Sequence, residues 1–536
     1  MDTKRKLPEH LGKGKFSART ALGGVGSSYA IYVLAILTFV NIFNFIDRQI
    51  LSILAERIKY DLALSDTDLG FLYGTAFAVC LAVFGIPLGR LSDTWERRYV
   101  IAIGLTLWSG MTALSGLSQT FLQLSAMRIG VAIGEASLNP AAHSSLSDWF
   151  PRHQRATVLA VYTSGAYIGG GISLFIGGQI VGQWDLAFAG GATPFGLRGW
   201  QIAFFTVGLP GILLALLVWR LREPVRGQSD GLITPSHRRP LREFMRELAS
   251  VVPPATVVLL IANKARIVDL VWNIGIAIVL GAAAIAMTSW LGNPAQWITL
   301  AIGLYATCSW GQNLRLRDPP SFTLILNIPT LWYATVCFSL LAFTTYGMGF
   351  WTAPYLVRML GAREGEVGMI FGLTAAAGGL IGIILGGVLA DRWRRRHPAG
   401  RLFVAMFSAA MMVPVALWLF TTENVSLAYV LTFPLWLLNA MWVGCGAATV
   451  QDLVLPRMRA SASAAYTLIL TLIGLAMGPY VIGRVSVALG DLRSAILWAL
   501  LANAIAFAFA ILAARYIRHD EATLQQRARA AGEPAA

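Results

Sequence analysis

Along the chain, uncharged apolar stretches alternate with short polar clusters rich in arginine. A helix rises about 1.5 Å per residue, so stretches of about 20 residues cross about 30 Å of hydrocarbon. Windows bounded by charges or turn residues predict helices at about residues 30–55, 66–90, 98–118, 121–146, 155–182 and 199–220. A basic linker with Arg222, Arg226, Arg238, Arg239, Arg242 and Arg246 follows. No charge then occurs from Leu270 to Leu314, a run long enough for two spans with a turn at Gly292, Asn293 and Pro294. Six further windows, at about 325–350, 365–390, 401–421, 426–450, 459–488 and 492–516, bring the expectation to about 14 spans. Backbone in hydrocarbon must satisfy its own hydrogen bonds, and these runs are too long for barrel strands. An all-α membrane protein is expected.

Composition agrees, at 56% hydrophobic and 13% charged. The net charge of +15 follows from the excess of Lys and Arg in cytoplasmic loops and does not imply a nucleic-acid partner. Arg97 and Arg98, Arg152 and Arg155, the linker arginines, Arg315 and Arg317, Arg392 to Arg396, Arg457 and Arg459, and Arg515 and Arg518 all fall on one side of the expected topology. That side is expected to be cytoplasmic, with both termini on it, in a bacterial inner membrane. The expected division is a basic tail (1–28), a first bundle (29–221), a linker (222–268), an extra hairpin (269–312), a second bundle (320–518) and a tail (519–536). Charge parity alone leaves the hairpin open between two spans and an interfacial flap. Lys4, Arg5, Lys6, Lys13, Lys15 and Arg19 precede the first span without a signal-peptide core. Cys80, Cys308, Cys337 and Cys445 sit in apolar runs at irregular spacing, which indicates neither disulfides nor a metal site.

Two internal matches indicate duplication. Gly89, Asp93, Arg97 and Arg98 recur in spacing as Gly387, Asp391, Arg395 and Arg396. Asp148, Arg155, Ala156 and Tyr162 recur as Asp452, Arg459, Ala460 and Tyr466. Both matches lie on equivalent loops in the same order, a common plan in transporters.

The first of these motifs resembles the loop signature of the major facilitator superfamily, with Thr94 and Glu96 departing from it in the first copy and Arg394 in the second. The resemblance covers about residues 29–518 apart from the linker and hairpin. It implies two six-helix bundles, here with a two-helix insertion. Within the superfamily, NFIDRQ (44–49), LSDTDLG (64–70), RIGVAIGEASLNP (128–140) and SDWFP (147–151) look like the Spinster-like branch. That branch implies substrate and proton handling at Asp47, Arg48, Arg128 and Glu135. Its animal members are associated with export of lysolipids and sphingolipid phosphates.

Ionisable groups inside a span cost about 2.5 to 3.5 kcal/mol each on insertion scales, so they face a cavity or pair. Arg128 and Glu135 are two helical turns apart and share a face. Glu135 reads as a proton acceptor, Arg128 as the countercharge of Glu135 or of substrate, and Asp47 with Arg48 as an outer gate or second proton site. The bland alternative is a neutral buried network that fixes packing. Asp93, Arg97, Arg98, Asp148, Arg155, Asp391, Arg395, Asp452 and Arg459 read as loop latches of one conformational state. Tyr346, Asn439 and Tyr466 are candidates for lining the cavity or packing the core. Gly165, Gly169, Gly170, Gly171, Gly378, Gly382 and Gly386 suggest surfaces for close helix approach.

The sequence holds no phosphate-binding loop, HExxH or GxSxG, so neither an enzyme nor an ATP-driven pump is expected. The expected function is alternating-access transport coupled to a proton gradient, without a cofactor or metal. The cargo is expected to be an anionic or zwitterionic amphipathic small molecule, lysolipid-like by resemblance, carried by a monomer among membrane lipids. A carrier of small organic acids or drugs is the alternative within the class. Gly478 and Pro479 lie in the eleventh helix rather than the fifth, where drug antiporters commonly place them. A channel is the alternative outside it.

Overall fold

The computed structural model describes residues 25–189, 192–230, 239–262 and 264–532. The six basic tail residues and Arg238 lie outside the described residues. The first half comprises Ser28–Asp61, Asp66–Thr94, Arg97–Ser115, a fourth helix in two segments (Phe121–Glu135 and Leu138–Trp149), Arg155–Ala187 and Gly199–Trp219. The second comprises Pro329–Leu360, Glu364–Arg394, Gly400–Thr421, Val425–Asp452, Pro456–Leu489 and Leu492–Ala522. These are called the first to twelfth helices below. Eleven described helices, counting Ile267–Leu291 of the hairpin, have membrane length and apolarity. The third helix and Pro294–Arg317 are more polar, and the fourth is broken into segments of 15 and 12 residues, so an expectation of about fourteen spans is consistent with the structure.

Local chemistry sets the ends and breaks. Ser27 and Thr120 accept the backbone N–H of Ala30 and Gln123 at 3.3 Å, and Asp491 accepts those of Arg493 and Ser494, so each caps a helix start. Pro140 has no N–H, and its ring clashes with the carbonyl four residues back, at Ala136. The fourth helix accordingly stops at Glu135 and restarts at Leu138, placing Glu135 at a segment end. Wider π turns occur at Phe71–Thr75, Val367–Phe371 and Thr471–Ala476, in the second, eighth and eleventh helices, where the two halves meet.

Within the first half the first helix packs on the fifth and the third on the sixth; within the second the seventh packs on the twelfth and the eighth on the tenth. The halves join through first against seventh, second against eleventh and fifth against eighth helices. Gly165 and Gly169 admit the first helix, Gly378, Gly382 and Gly386 admit the tenth, and Gly171 meets Gly372 across the halves. The Gly170 face is open.

The duplication is visible in hydrogen bonding. Arg97 bonds Asp148 and Ser144, while Arg401 bonds Asp452 and the Ala448 carbonyl. Arg155 Nε donates to Ser147 O and Arg459 Nε to Gln451 O. One constant offset in numbering relates all these positions, so the counterpart of Arg97 is Arg401, not Arg395 as motif spacing suggests. The reason is positional. Arg97 and Arg401 sit in the first turns of the third and ninth helices, within reach of the Asp near the end of the helix that follows, the fourth or the tenth, whereas Arg395 caps the eighth helix and is exposed.

The hairpin forms two antiparallel helices, Ile267–Leu291 and Pro294–Arg317. Asn293 adopts φ +55° and caps the second through its side chain. The second helix packs between the second and eleventh helices, with Gly303 against Val79 and Leu472. The first mostly faces outward, yet its Asn273 is buried, donating to Ser309 at 3.2 Å and Gln312 at 2.9 Å and accepting from Tyr305 at 2.6 Å. Such a polar core fixes the pairing of two otherwise featureless apolar helices.

Candidate functional site

A cavity of about 320 Å³ lies between the halves, lined from the first by Phe45, Arg48, Gln49, Tyr73 and Tyr167 and from the second by Thr345, Tyr346, Trp436, Trp442 and Tyr466. Tyr346 and Tyr466 are therefore wall residues. Asn439 stands behind the wall, accepting a hydrogen bond from Thr345 at 2.9 Å.

The four ionisable residues of the first and fourth helices come together beside this cavity. Consecutive helical residues point about 100° apart, so Asp47 and Arg48 serve different neighbours. Asp47 turns toward Trp108 and Thr112 of the third helix, while Arg48 turns toward the cavity and pairs with Glu135 at 2.9 Å. Arg128 donates from Nη1 to the backbone carbonyl of Asp47 at 3.1 Å. Its Nε and Nη2 have no hydrogen-bond partner among the described residues. Both guanidiniums lie over the Phe77 ring, that of Arg48 4.5 Å and that of Arg128 5.5 Å from its centre.

This arrangement differs from the expected pairing in two respects. The hydrogen-bonded countercharge of Glu135 is Arg48, with Arg128 acting on it only at longer range. Arg48 is 8% exposed while Asp47 and Arg128 are at 0%, so Arg48 is the cation that an anion in the cavity meets. Arg128 is not part of the cavity wall and is bonded instead to the Asp47 carbonyl. Two guanidiniums and two carboxyl groups share one dry cluster, where a charge is tolerated only beside an opposite one.

Toward the end of the bundle where the first helix finishes, the halves are bonded to each other. Gln49 donates to Gly349 O at 3.0 Å and Ser52 to Phe350 O at 2.6 Å. Arg358 then grips Glu56 at 2.6 Å and Asp66 at 2.7 Å, and Ser486 donates to Asp66 at 2.7 Å. Arg57 pairs with Glu364 at 2.9 Å. At Gly70, an added Cβ would lie 2.6 Å from the Pro479 carbonyl oxygen, so only glycine allows the second and eleventh helices this approach. Sequence reading did not single out Glu56, Arg57, Arg358 or Glu364. Their only signal is position, as opposite charges at the same-side ends of helices from different halves.

At the opposite, arginine-rich end the bonds run differently. Arg97 is buried and pairs with Asp148 at 2.6 Å and Glu223 at 2.7 Å. Arg98 donates to the Leu221 carbonyl and pairs with Glu96. Arg226 of the linker donates to the Ser92, Asp93 and Trp95 carbonyls. Arg155 donates to Ser229 at 2.6 Å. In the second half Asp452 pairs with Arg401, and Arg394 with Glu521 at 2.7 Å. Asp391 and Arg395 are exposed. Each of these pairs stays within one half or ties the linker to the first.

Comparison with known proteins fits this architecture. The model of the Major Facilitator Superfamily matches residues 37–479. The chain is 29% identical to an MFS-type efflux pump of Mycolicibacterium smegmatis, over 87% of this chain and 86% of the relative. It is 24% identical to Protein spinster of Drosophila melanogaster, over 87% of this chain and 64% of that one. The crystal structure of a bacterial homolog to the human lysosomal transporter Spinster, inward-facing and unoccupied, superposes with a TM-score of 0.65 at 24% identity, covering 93% of this chain and 98% of that one. The family match spans most of a chain folded as two related six-helix bundles around a central cavity, so this protein belongs to the major facilitator superfamily and is a membrane transporter rather than an enzyme.

Proposed function

We propose that the chain is a Spinster-like secondary transporter that works by alternating access and couples cargo to protons at Glu135. The observation that carries this reading is the Arg48–Glu135 pair, 2.9 Å long, with its guanidinium on the cavity wall. A carboxylate holds its charge in a dry site through its countercharge. An anionic cargo group that draws Arg48 to itself leaves Glu135 to take up a proton, and deprotonation returns Arg48 and releases the cargo. Arg fits a phosphate or carboxylate through two parallel bonds, and the aromatic wall suits an apolar tail. An anionic or zwitterionic amphipathic molecule meets both demands. The arginine-rich end is assigned to the cytoplasm by the positive-inside rule, which makes the bonded end the closed outer gate of an inward-facing state in a bacterial inner membrane.

A small organic acid is the second reading, favoured by a cavity volume of about 320 Å³, at the low end for ligand pockets. Purified protein in proteoliposomes, given a lysophospholipid or a hexuronate under an imposed pH gradient, tests both. Saturable, gradient-driven flux of the lysophospholipid supports the first reading, and of the hexuronate alone the second. Non-saturable flux that is indifferent to the gradient points to a channel.

A further inference from the structure

A second cavity, of about 850 Å³, lies at the arginine-rich end between the hairpin and two linker helices, Pro240–Ala249 and Ala255–Ala262. Arg246, Lys264, Arg266, Arg315 and Arg317 line it against the single carboxylate of Asp269. Arg315 is committed to Asp269 at 2.5 Å and Arg317 to Glu247 at 2.7 Å. The side chains of Arg246, Lys264 and Arg266 have no polar partner among the described residues. Like charges gathered without partners repel one another, and an anion among them relieves that repulsion.

Two apolar grooves adjoin this basic cavity, one on the outward face of the hairpin and one between the hairpin and the second half. One, of about 720 Å³, shares Val268 with it and runs past Val271, Gly275 and Val279. The other, of about 360 Å³, shares Gln312 and Arg315 with it and runs past Phe322 and Trp332. Trp272 and Cys308 border both grooves. A Cβ at Gly275 would meet nothing within 4 Å, so the floor of the first groove is open. One positive chamber feeding two apolar channels matches one phosphodiester carrying two acyl chains.

We propose that this composite site binds an anionic phospholipid of the surrounding leaflet, its phosphate among Arg246, Lys264 and Arg266 and one chain in each groove. The lipid clamps the linker to the hairpin, on the outside of the bundle and away from the central cavity, so the proposal stands independently of the cargo. A soluble phosphate would satisfy the cations but leave both grooves without purpose. Basic clusters at a membrane surface gain attraction to acidic lipids with each Lys or Arg.

The test is native mass spectrometry of the full chain released from detergent, titrated with dioleoyl phosphatidylglycerol, dioleoyl phosphatidylcholine or inorganic phosphate. Phosphatidylglycerol should bind at least about tenfold more tightly than phosphatidylcholine. The combined variant Arg246→Gln, Lys264→Gln, Arg266→Gln should erase that preference, with each single variant giving a graded part of the loss. Gly275→Leu should weaken phosphatidylglycerol about threefold or more by filling a groove. Equal retention of the two lipids, or a preference that survives the triple variant, overturns the proposal. So does displacement by millimolar inorganic phosphate together with indifference to Gly275→Leu, which would mark a soluble-anion site.

Discussion

The two ends of this transporter use the same chemistry, arginine against carboxylate, for opposite purposes. At one end Arg358, Glu56, Asp66, Arg57 and Glu364 bond half to half. At the other, Arg97 with Asp148 and Arg401 with Asp452 bond within each half. Under the proposed alternating access, the difference teaches which contacts must break when the halves rock and which hold each half rigid while it moves. Burial singles out the first-half brace: the Arg97 side chain is 1% exposed, against 18% for Arg401 and 23% for Arg358. A contact that re-forms in every cycle must be rehydrated cheaply, whereas a permanent brace need not be.

Removing the buried brace should have the largest effect. Arg97→Ala leaves Asp148 and Glu223 without their cation and should cost about 3 to 5 kcal/mol, read as a lower unfolding temperature in detergent. Arg401→Ala, at the more exposed counterpart, should cost about 1 kcal/mol or less. Equal losses would mean that the two braces are not the asymmetric pair the burial indicates.

Next in size is the latch. Arg358→Ala removes charge-assisted bonds worth about 1.5 to 3 kcal/mol and should shift the population toward the form open at that end by about tenfold to a hundredfold. Ala375→Cys, on the cavity wall, placed in a background lacking the native cysteines, should then label faster with an impermeant thiol reagent in intact cells. Gly70→Val should act in the same direction by wedging the second helix from Pro479. Unchanged labelling in both variants would remove this end as the gate.

The hairpin turn lies at the latched end, where the Trp297 ring meets Tyr480 at 5.9 Å. Pro294→Cys in the same background should react with the impermeant reagent in intact cells. Reaction only after the inner face is opened would contradict two spans with an external turn. The smallest effect is expected at Arg57 and Asp185, whose side chains are 43% and 41% exposed. Asp185→Asn should change stability by less than about 1 kcal/mol, with even that fading at high salt.

The spans, the paired halves and the cluster of Asp47, Arg48, Arg128 and Glu135 were legible because hydrocarbon penalises charge and unpaired backbone so heavily that each exception stands out. The pairing inside the cluster was not. It depends on how the first and fourth helices are set against each other, which brings Arg48 onto Glu135 and Arg128 onto the Asp47 carbonyl. The counterpart of Arg97 was also hidden, since motif spacing pointed to Arg395 and only the start of the ninth helix brings Arg401 to Asp452. Nor could the latch be read, because Glu56 and Arg358 lie about three hundred residues apart in the chain and meet only through the packing of the two halves.

The central claim is that Glu135 exchanges its Arg48 countercharge for a proton as cargo binds. Its most direct test is Glu135→Gln in proteoliposomes, with accumulation under a pH gradient measured beside cargo exchange at equal pH and Asp47→Asn as the companion variant, since coupled sites titrate together. The account predicts that accumulation by Glu135→Gln collapses to equilibration while exchange persists. Gradient-driven accumulation at the wild-type level in the Glu135→Gln protein would contradict it.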